Sequence, residues 1–235
     1  MPSPHASNAV EPGAGLAARI DAVLPQTQCT RCAYPDCAAY AQAIAVGEAD
    51  INRCPPGGDA GIERLARITG RAVLPLDAAC GSEGPRRLAV IDEAWCIGCT
   101  LCLDACPTDA ILGRSKRMHT VIAPHCTGCE LCIPVCPVDC IALEDATPGR
   151  TGWAAWSQEQ AYQALRRYRL RTERLEKSGA RPVDMEADGP ASASAEAAPA
   201  LAPAEAAAPA AEPDRKKATI EAALARARAA RAPKG

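Results

Sequence analysis

The stretch "CIGCTLCLDACP" at residues 96 to 107 returns thirty residues later as "CTGCELCIPVCP" at 126 to 137. Each run has the form C-x2-C-x2-C-x3-C-P, four sulfurs and a proline in twelve positions. Three thiolates from one tight loop can seat three corners of a four-iron cube, and the fourth corner then needs a sulfur from elsewhere. Structural zinc takes two Cys pairs, which leaves the third and fourth Cys of each compact run without a place. Pro107 and Pro137 cannot continue a helix and turn the chain away after the fourth Cys. Outward from the runs lie three short strand candidates, "RLAVID" (87–92), "MHTVIA" (118–123) and "CIALE" (140–144). The pattern therefore predicts one strand, loop and helix unit written twice, in an α+β chain.

In two-cluster ferredoxins the fourth Cys of each run serves the other cluster. Applied here, the rule groups Cys96, Cys99, Cys102 and Cys136 at one [4Fe-4S] site, and Cys106, Cys126, Cys129 and Cys132 at another. Upstream, Cys29, Cys32, Cys37 and Cys54 follow a different pattern, C-x2-C-x4-C-x16-C. Alone this spacing suits zinc as well as a cluster; beside two ferredoxin runs it reads as a third [4Fe-4S] site. Of the fourteen cysteines, Cys80 and Cys140 remain, read as a loop thiol and a small buried residue. His119 and His125 flank the second run and are assigned to packing or surface rather than ligation. No catalytic residue is identified.

Composition fits a chain held by ligands. There is no Phe, with only three Trp and four Tyr among 235 residues, so the large side chains that dominate core energetics are scarce. The opening residues carry no export signal and no apolar run of membrane-spanning length occurs, which favours metal ligation in a reducing compartment over disulfides. The expected organisation is a disordered tail (1–15), a small helical four-cysteine domain (16–70), a linker (71–86) and a tandem ferredoxin-like domain (87–148). An amphipathic helix (149–180), an Ala/Pro-rich disordered linker (181–213) and a basic helical tail (214–235) follow. Within the first domain, Asp59 is the expected N-cap of a helix ending at Gly70, and Gly47 the stop of the helix before it. "GAGLAA" (13–18) imitates a dinucleotide fingerprint, but no strand precedes it and no βαβ unit follows. Such a chain passes single electrons and needs redox protein partners at both ends, with no small-molecule substrate of its own.

"IDAVLPQTQCTRCAYPDCAAYAQAI" and "GEADINRCPPGG", taken with the two runs and their flanks, resemble the B subunit of the Rnf (Rsx) electron transport complex. The resemblance spans roughly residues 18 to 145 and includes all twelve grouped cysteines. It implies electron transfer between ferredoxin or NAD and a membrane complex coupled to ion translocation, with the other subunits as partners on the cytoplasmic side of the inner membrane. Members commonly begin with a membrane-spanning helix; the short polar start here leads to an expectation of a cytoplasmic chain with peripheral membrane association only. Two alternatives use the same clusters. One is a free-standing ferredoxin; the other is a nucleic-acid-binding sensor using the tail at 214–235, whose seven basic residues face only Asp214 and Glu221. That tail lacks interleaved aromatic residues for base stacking, so a nucleic-acid partner is the weaker expectation.

Overall fold

A computed structural model of the protein describes residues 15 to 179. The expected tail before Gly15, the linker at 181–213 and the basic helix at 214–235 lie outside the described residues.

Three helices, α1 (Leu16–Asp21), α2 (Cys37–Val46) and α3 (Gly58–Thr69), build the first part. Asp36 caps α2, its carboxylate accepting from the Ala39 amide at 2.7 Å, and Gly47 ends the helix at φ 87 as expected. The start of α3 differs from expectation. Gly57, which has no side chain, occupies the N-cap and Asp59 lies in the first turn. The capping acceptor comes from the linker, where Glu83 Oε2 takes the Asp59 amide at 2.9 Å.

Between these helices Ile20, Leu24, Tyr40, Ile44, Ile51, Ile62 and Leu65 are each no more than 2% exposed. The scarcity of large side chains in the whole sequence thus hides a local aliphatic core. Each such burial contributes about 1.5 to 3 kcal/mol. Tyr40 is tied at its polar end as well, donating to the Asp50 carbonyl at 2.8 Å and accepting from the Arg53 amide at 3.1 Å.

The duplicated part contains β1 (Arg87–Ile91), α4 (Leu101–Ala105), β2 (Ile111–Leu112), β3 (Thr120–Val121) and β4 (Ile141–Asp145). Strand β1 pairs antiparallel with β4, Ile91 opposite Ile141 and Ala89 opposite Leu143. The middle strands pair with each other, Ile111 opposite Val121. The duplication is visible in the backbone. Thr100 and Glu130 share a left-handed conformation (φ 71 and 68), as do Asp109 and Asp139 (φ 49 and 50).

One half departs from the duplicate. Helix α4 follows the first run, but residues 131 to 135 form turns only. In α4 the Asp104 amide bonds to the Thr100 carbonyl at 3.3 Å. The matching donor would be residue 134, which is proline and has no N–H.

Helix α5 (Gln158–Ser178) is shorter than the span expected at 149–180, and a 3-10 turn at Gly152–Ala155 precedes it. Ser157 and Gln160 form a reciprocal capping box at its start. This helix spans both parts. Gln158 donates to the Ala22 carbonyl at 3.1 Å and the Tyr168 hydroxyl to Asp36 Oδ2 at 3.0 Å, whereas Arg174 reaches Asp109 at 2.9 Å and Arg171 the Asp104 carbonyl. Among the described residues no helix is long and apolar enough to cross a membrane.

Candidate metal centres

Thirteen cysteines line three separate cavities, the twelve grouped ones four to each and Cys140 at the second. Cys29, Cys32, Cys37 and Cys54 line one, together with Leu24, Tyr40 and Pro55. Cys96, Cys99, Cys102 and Cys136 line a second under Ile91 and Ile141. Cys106, Cys126, Cys129 and Cys132 line a third under Ala89, Ile111, Val121 and Leu143. The fourth Cys of each run thus stands with the first three of the other. The alternation of β1 and β4 places successive inward pairs over different cavities, Ile91 with Ile141 over one and Ala89 with Leu143 over its neighbour.

Local backbone geometry holds these thiols. Gly98 and Gly128 sit at φ 67 and 69 between the first two cysteines of each run. A Cβ at Gly98 would lie 2.5 Å from the Arg117 backbone, and one at Gly128 would lie 2.4 Å from the Arg87 carbonyl oxygen. Only glycine lets each loop close against the strand region from the other repeat.

The first cavity is shaped by polar side chains that cysteine spacing does not reveal. Its cysteine loop carries four non-glycine residues in the left-handed region, Gln26, Gln28, Thr30 and Ala33, at φ 53 to 65. A buried chain of bonds stabilises them. Gln26 Nε2 donates to the Asp21 carbonyl at 2.6 Å and to its carboxylate at 2.7 Å. Gln28 Nε2 donates to Gln26 Oε1 at 2.8 Å, and Gln28 Oε1 accepts from the Cys37 amide at 3.0 Å. Burial raises the Asp21 carboxyl above its usual range, against the lowering influence of the Gln26 bond and Arg169. The only clue in the sequence was "PQTQC" itself, two Gln spaced to alternate toward one side.

Packing thiols together without a cation keeps them protonated. Burial is the main cause and neighbouring sulfurs add to it. The Cys102 thiol is pushed up to about 11, with Cys99, Cys96 and Cys136 as the charged neighbours. Cys129 and Cys132 reach about 12, with Cys106 among the neighbours of both. Cys37 is also raised, by burial and then by Cys54. Such sites take up metal with release of protons.

Cys140 and His119 also belong to the second cavity. Both line it, and His119, 1% exposed, is packed in the interior rather than at the surface. Its Nδ1 lies 3.3 Å from Cys102 Sγ, and Cys140 Sγ lies 3.5 Å from Cys136 Sγ. His125 lines none of the three cavities; it pairs with Arg167, and burial followed by that charge lowers its pKa. Cys80, expected as a loop thiol, is buried on a 3-10 turn at Ala78–Cys80 beside Asp77.

The donor chemistry suits a polynuclear group. Among the described residues no group of three or more His, Cys, Asp or Glu side chains placed to hold a metal ion is found. Four soft thiols about a largely apolar space are the all-cysteine donor set of an iron–sulfur cluster.

Comparison with known proteins bears on the same segments. A family model described as a 4Fe-4S dicluster domain matches residues 89–143, and one described as a putative Fe-S cluster matches residues 24–56. The chain is 64% identical over 132 residues to the B subunit of the ion-translocating oxidoreductase complex of Azoarcus sp. (strain BH72), covering 56% of this chain and 72% of that protein. It is 60% identical over 111 residues to the protein of the same description from Thiobacillus denitrificans, covering 47% and 59%. To that of Pseudomonas paraeruginosa it is 57% identical over 141 residues, covering 60% and 73%. No solved structure matches.

Proposed function

The chain belongs to the family of B subunits of ion-translocating oxidoreductase complexes, and we propose that it is an electron relay holding three [4Fe-4S] clusters. Cys29, Cys32, Cys37 and Cys54 hold one cluster in a domain of residues 16–70. Cys96, Cys99, Cys102 and Cys136 hold the second, and Cys106, Cys126, Cys129 and Cys132 the third, both in a domain of residues 87–148 joined by the linker at 71–86. The single observation that carries this reading is the division of the twelve grouped cysteines among three cavities, four to each with Cys140 beside the second set, and with the two runs exchanging their fourth members.

When bound, each cluster supplies a reversible one-electron couple. The protein's own residues prepare that chemistry. The thiols surrender their protons on loading, which burial otherwise opposes. Ile91 and Ile141 over one cavity, and Ile111 and Val121 over the other, replace water with apolar surface and so influence potential and access. Gly98 and Gly128 hold the loops against the strands. The relay works with redox proteins as partners, the remaining subunits of the complex among them, at the cytoplasmic face of the inner membrane. Ion translocation belongs to those membrane partners.

Anaerobic reconstitution tests the reading. The chain should bind about twelve irons and about twelve sulfides, reducible by dithionite. A plateau near eight of each with zinc bound would remove the cluster from residues 16–70, and a chain that binds zinc alone would remove the function.

A further inference from the structure

The two halves of the duplicated part differ most where they meet the sulfurs. With the offset of thirty residues, His119 matches Ala89 and Cys140 matches Ala110. His119 and Cys140 line the cavity of Cys96, Cys99, Cys102 and Cys136, whereas Ala89 and Ala110 line the cavity of Cys106, Cys126, Cys129 and Cys132. One site therefore has two side chains able to donate to sulfur at positions where its sister has methyl groups.

The exchange is accommodated by the surroundings. Residue 113 is glycine, and a Cβ there would stand 2.0 Å from His119 Cδ2. The matching residue of the other half is Leu143, which lines the sister cavity opposite Ala89. A large residue facing a small one has been replaced by a small residue facing a large one, and the net result is an imidazole inside the cavity. Its Nδ1 lies 3.3 Å from Cys102 Sγ; its Nε2 is shut from solvent without a hydrogen-bond partner. A ligand thiolate accepts and cannot donate, so Nδ1 must carry the hydrogen. Cys140 Sγ, 3.5 Å from Cys136 Sγ, carries a second hydrogen that can point to a ligand sulfur. At the sister site the Ala110 amide donates to Cys106 Sγ at 3.2 Å, and the Thr108 hydroxyl, 3.9 Å from that sulfur, gives its one hydrogen to the His125 carbonyl at 2.9 Å.

Resting on the three-cluster reading above, we propose that His119 and Cys140 are positioning residues that set the two clusters of the duplicated part at different potentials. Through Cys102 and Cys136 they make the cluster of Cys96, Cys99, Cys102 and Cys136 the more readily reduced. Hydrogen bonds to ligand sulfur stabilise the more negative, reduced state, so the donors favour an added electron. No proton moves: the N–H and S–H keep their hydrogens while one electron arrives from the partner or chemical reductant. The electron shared by the pair then rests at this site, which gives the relay a defined end where sequence duplication alone would have produced two equal stations.

The test is a dithionite titration of the reconstituted protein, followed by electron paramagnetic resonance. Cys99→Ser and Cys129→Ser controls identify the two signals. In the native chain the cluster of Cys96 and its partners should be reduced first. His119→Leu, which keeps volume and removes the donor, should lower its reduced-to-oxidised ratio at a fixed potential about tenfold, equal to about 59 mV for a one-electron couple. The sister cluster should stay put. His119→Asn restores an N–H near the Nδ1 position and should recover most of the shift, which mere space-filling would not do. Cys140→Ala, the residue of the sister half, should shift the same cluster in the same direction with full iron and sulfide.

An unmoved midpoint in fully loaded His119→Leu, or an equal shift at both clusters, would overturn the inference. If His119→Leu loads poorly, His119→Asn and Cys140→Ala decide: native reduction order in the first with a lowered midpoint in the second supports it, and an unmoved midpoint in Cys140→Ala overturns it. Loss of a cluster from Cys140→Ala would also overturn it, since Cys140 would then be a ligand. Failure of the native chain to bind iron would sink the cluster reading itself, a result distinct from all of these.

Discussion

Replacing Gln28 by alanine should release the N-terminal cluster faster while leaving the other two in place. The side chain occupies the middle of a buried sequence of bonds, accepting from the Cys37 amide at 3.0 Å and donating to Gln26 Oε1 at 2.8 Å. Truncation leaves a donor and an acceptor without partners, each at a cost of about 1 to 3 kcal/mol, or about 2 to 6 kcal/mol together. A water entering the vacated space would recover part of that cost, so the lower end is the safer figure. Two kcal/mol is about thirtyfold in a rate when the contact is already broken in the rate-limiting opening. Because bound metal makes an equilibrium unfolding energy ill-defined, the assay is the decay of visible absorbance in the presence of an iron chelator. Gln28→Ala should show a fast phase of about one third of the amplitude, as expected for one cluster in three. Gln26→Ala should act similarly, and the double variant should cost less than the sum by about 0.5 to 3 kcal/mol, because the two side chains share a bond. A single phase at the native rate, or strict additivity, would refute the reasoning.

Three further outcomes follow from other contacts. Cys106→Ser should perturb the cluster held by Cys126, Cys129 and Cys132, reproducing the paramagnetic signature of Cys129→Ser; a match to Cys99→Ser would break the crossed grouping. Gly128→Ala places a Cβ 2.4 Å from the Arg87 carbonyl oxygen at φ 69, so it should cost more than the roughly 1 kcal/mol of left-handed strain and lower iron content at that site; normal loading and thermal stability would contradict it. Asp21→Asn should stabilise the protein at neutral pH. The folded carboxyl is raised by burial, so its contribution is fully present below the unfolded value of about 3.9 and is lost as pH rises through the folded value. The advantage of the Asn variant should therefore grow from about pH 4 upward in thermal denaturation, and a variant less stable at pH 7 would reverse the sign.

The cysteine spacing was readable because three ligands of a compact run must lie within one loop, so their chemistry leaves a local imprint. The two Pro-terminated runs also carried the exchange of fourth cysteines between cavities, since a duplicated loop that throws its last Cys outward needs a neighbour to receive it. Elements stabilised from a distance had no such imprint. Glu83 caps α3 across 24 residues, and nothing near Asp59 announces it. The placement of α5 depends on Tyr168 meeting Asp36 and Arg174 meeting Asp109, pairs that no helical period can specify. Composition misled in a different way: averaging over 235 residues, many of them Ala and Pro after position 186, concealed the aliphatic cluster around Ile44 and Leu65.

The asymmetry between the duplicated halves occupies a middle position. Every residue involved is visible in the sequence once the halves are aligned at thirty, including Ala89 against His119, Ala110 against Cys140 and Gly113 against Leu143. What alignment lacks is direction, because a histidine beside a cysteine run can as easily face solvent. Strand register supplies it. Residue 89 lies two positions before Ile91 on the inward face of β1, so its duplicate at 119 faces inward beside Val121, and only a residue without a Cβ at 113 leaves room for an imidazole there. Once that steric requirement is met, His119 has no route to water, and its Nδ1 finds sulfur at hydrogen-bonding distance. Duplication thus provides two equivalent cysteine-lined cavities, and the paired changes at 113 and 119 are the physical means by which one is made different from the other.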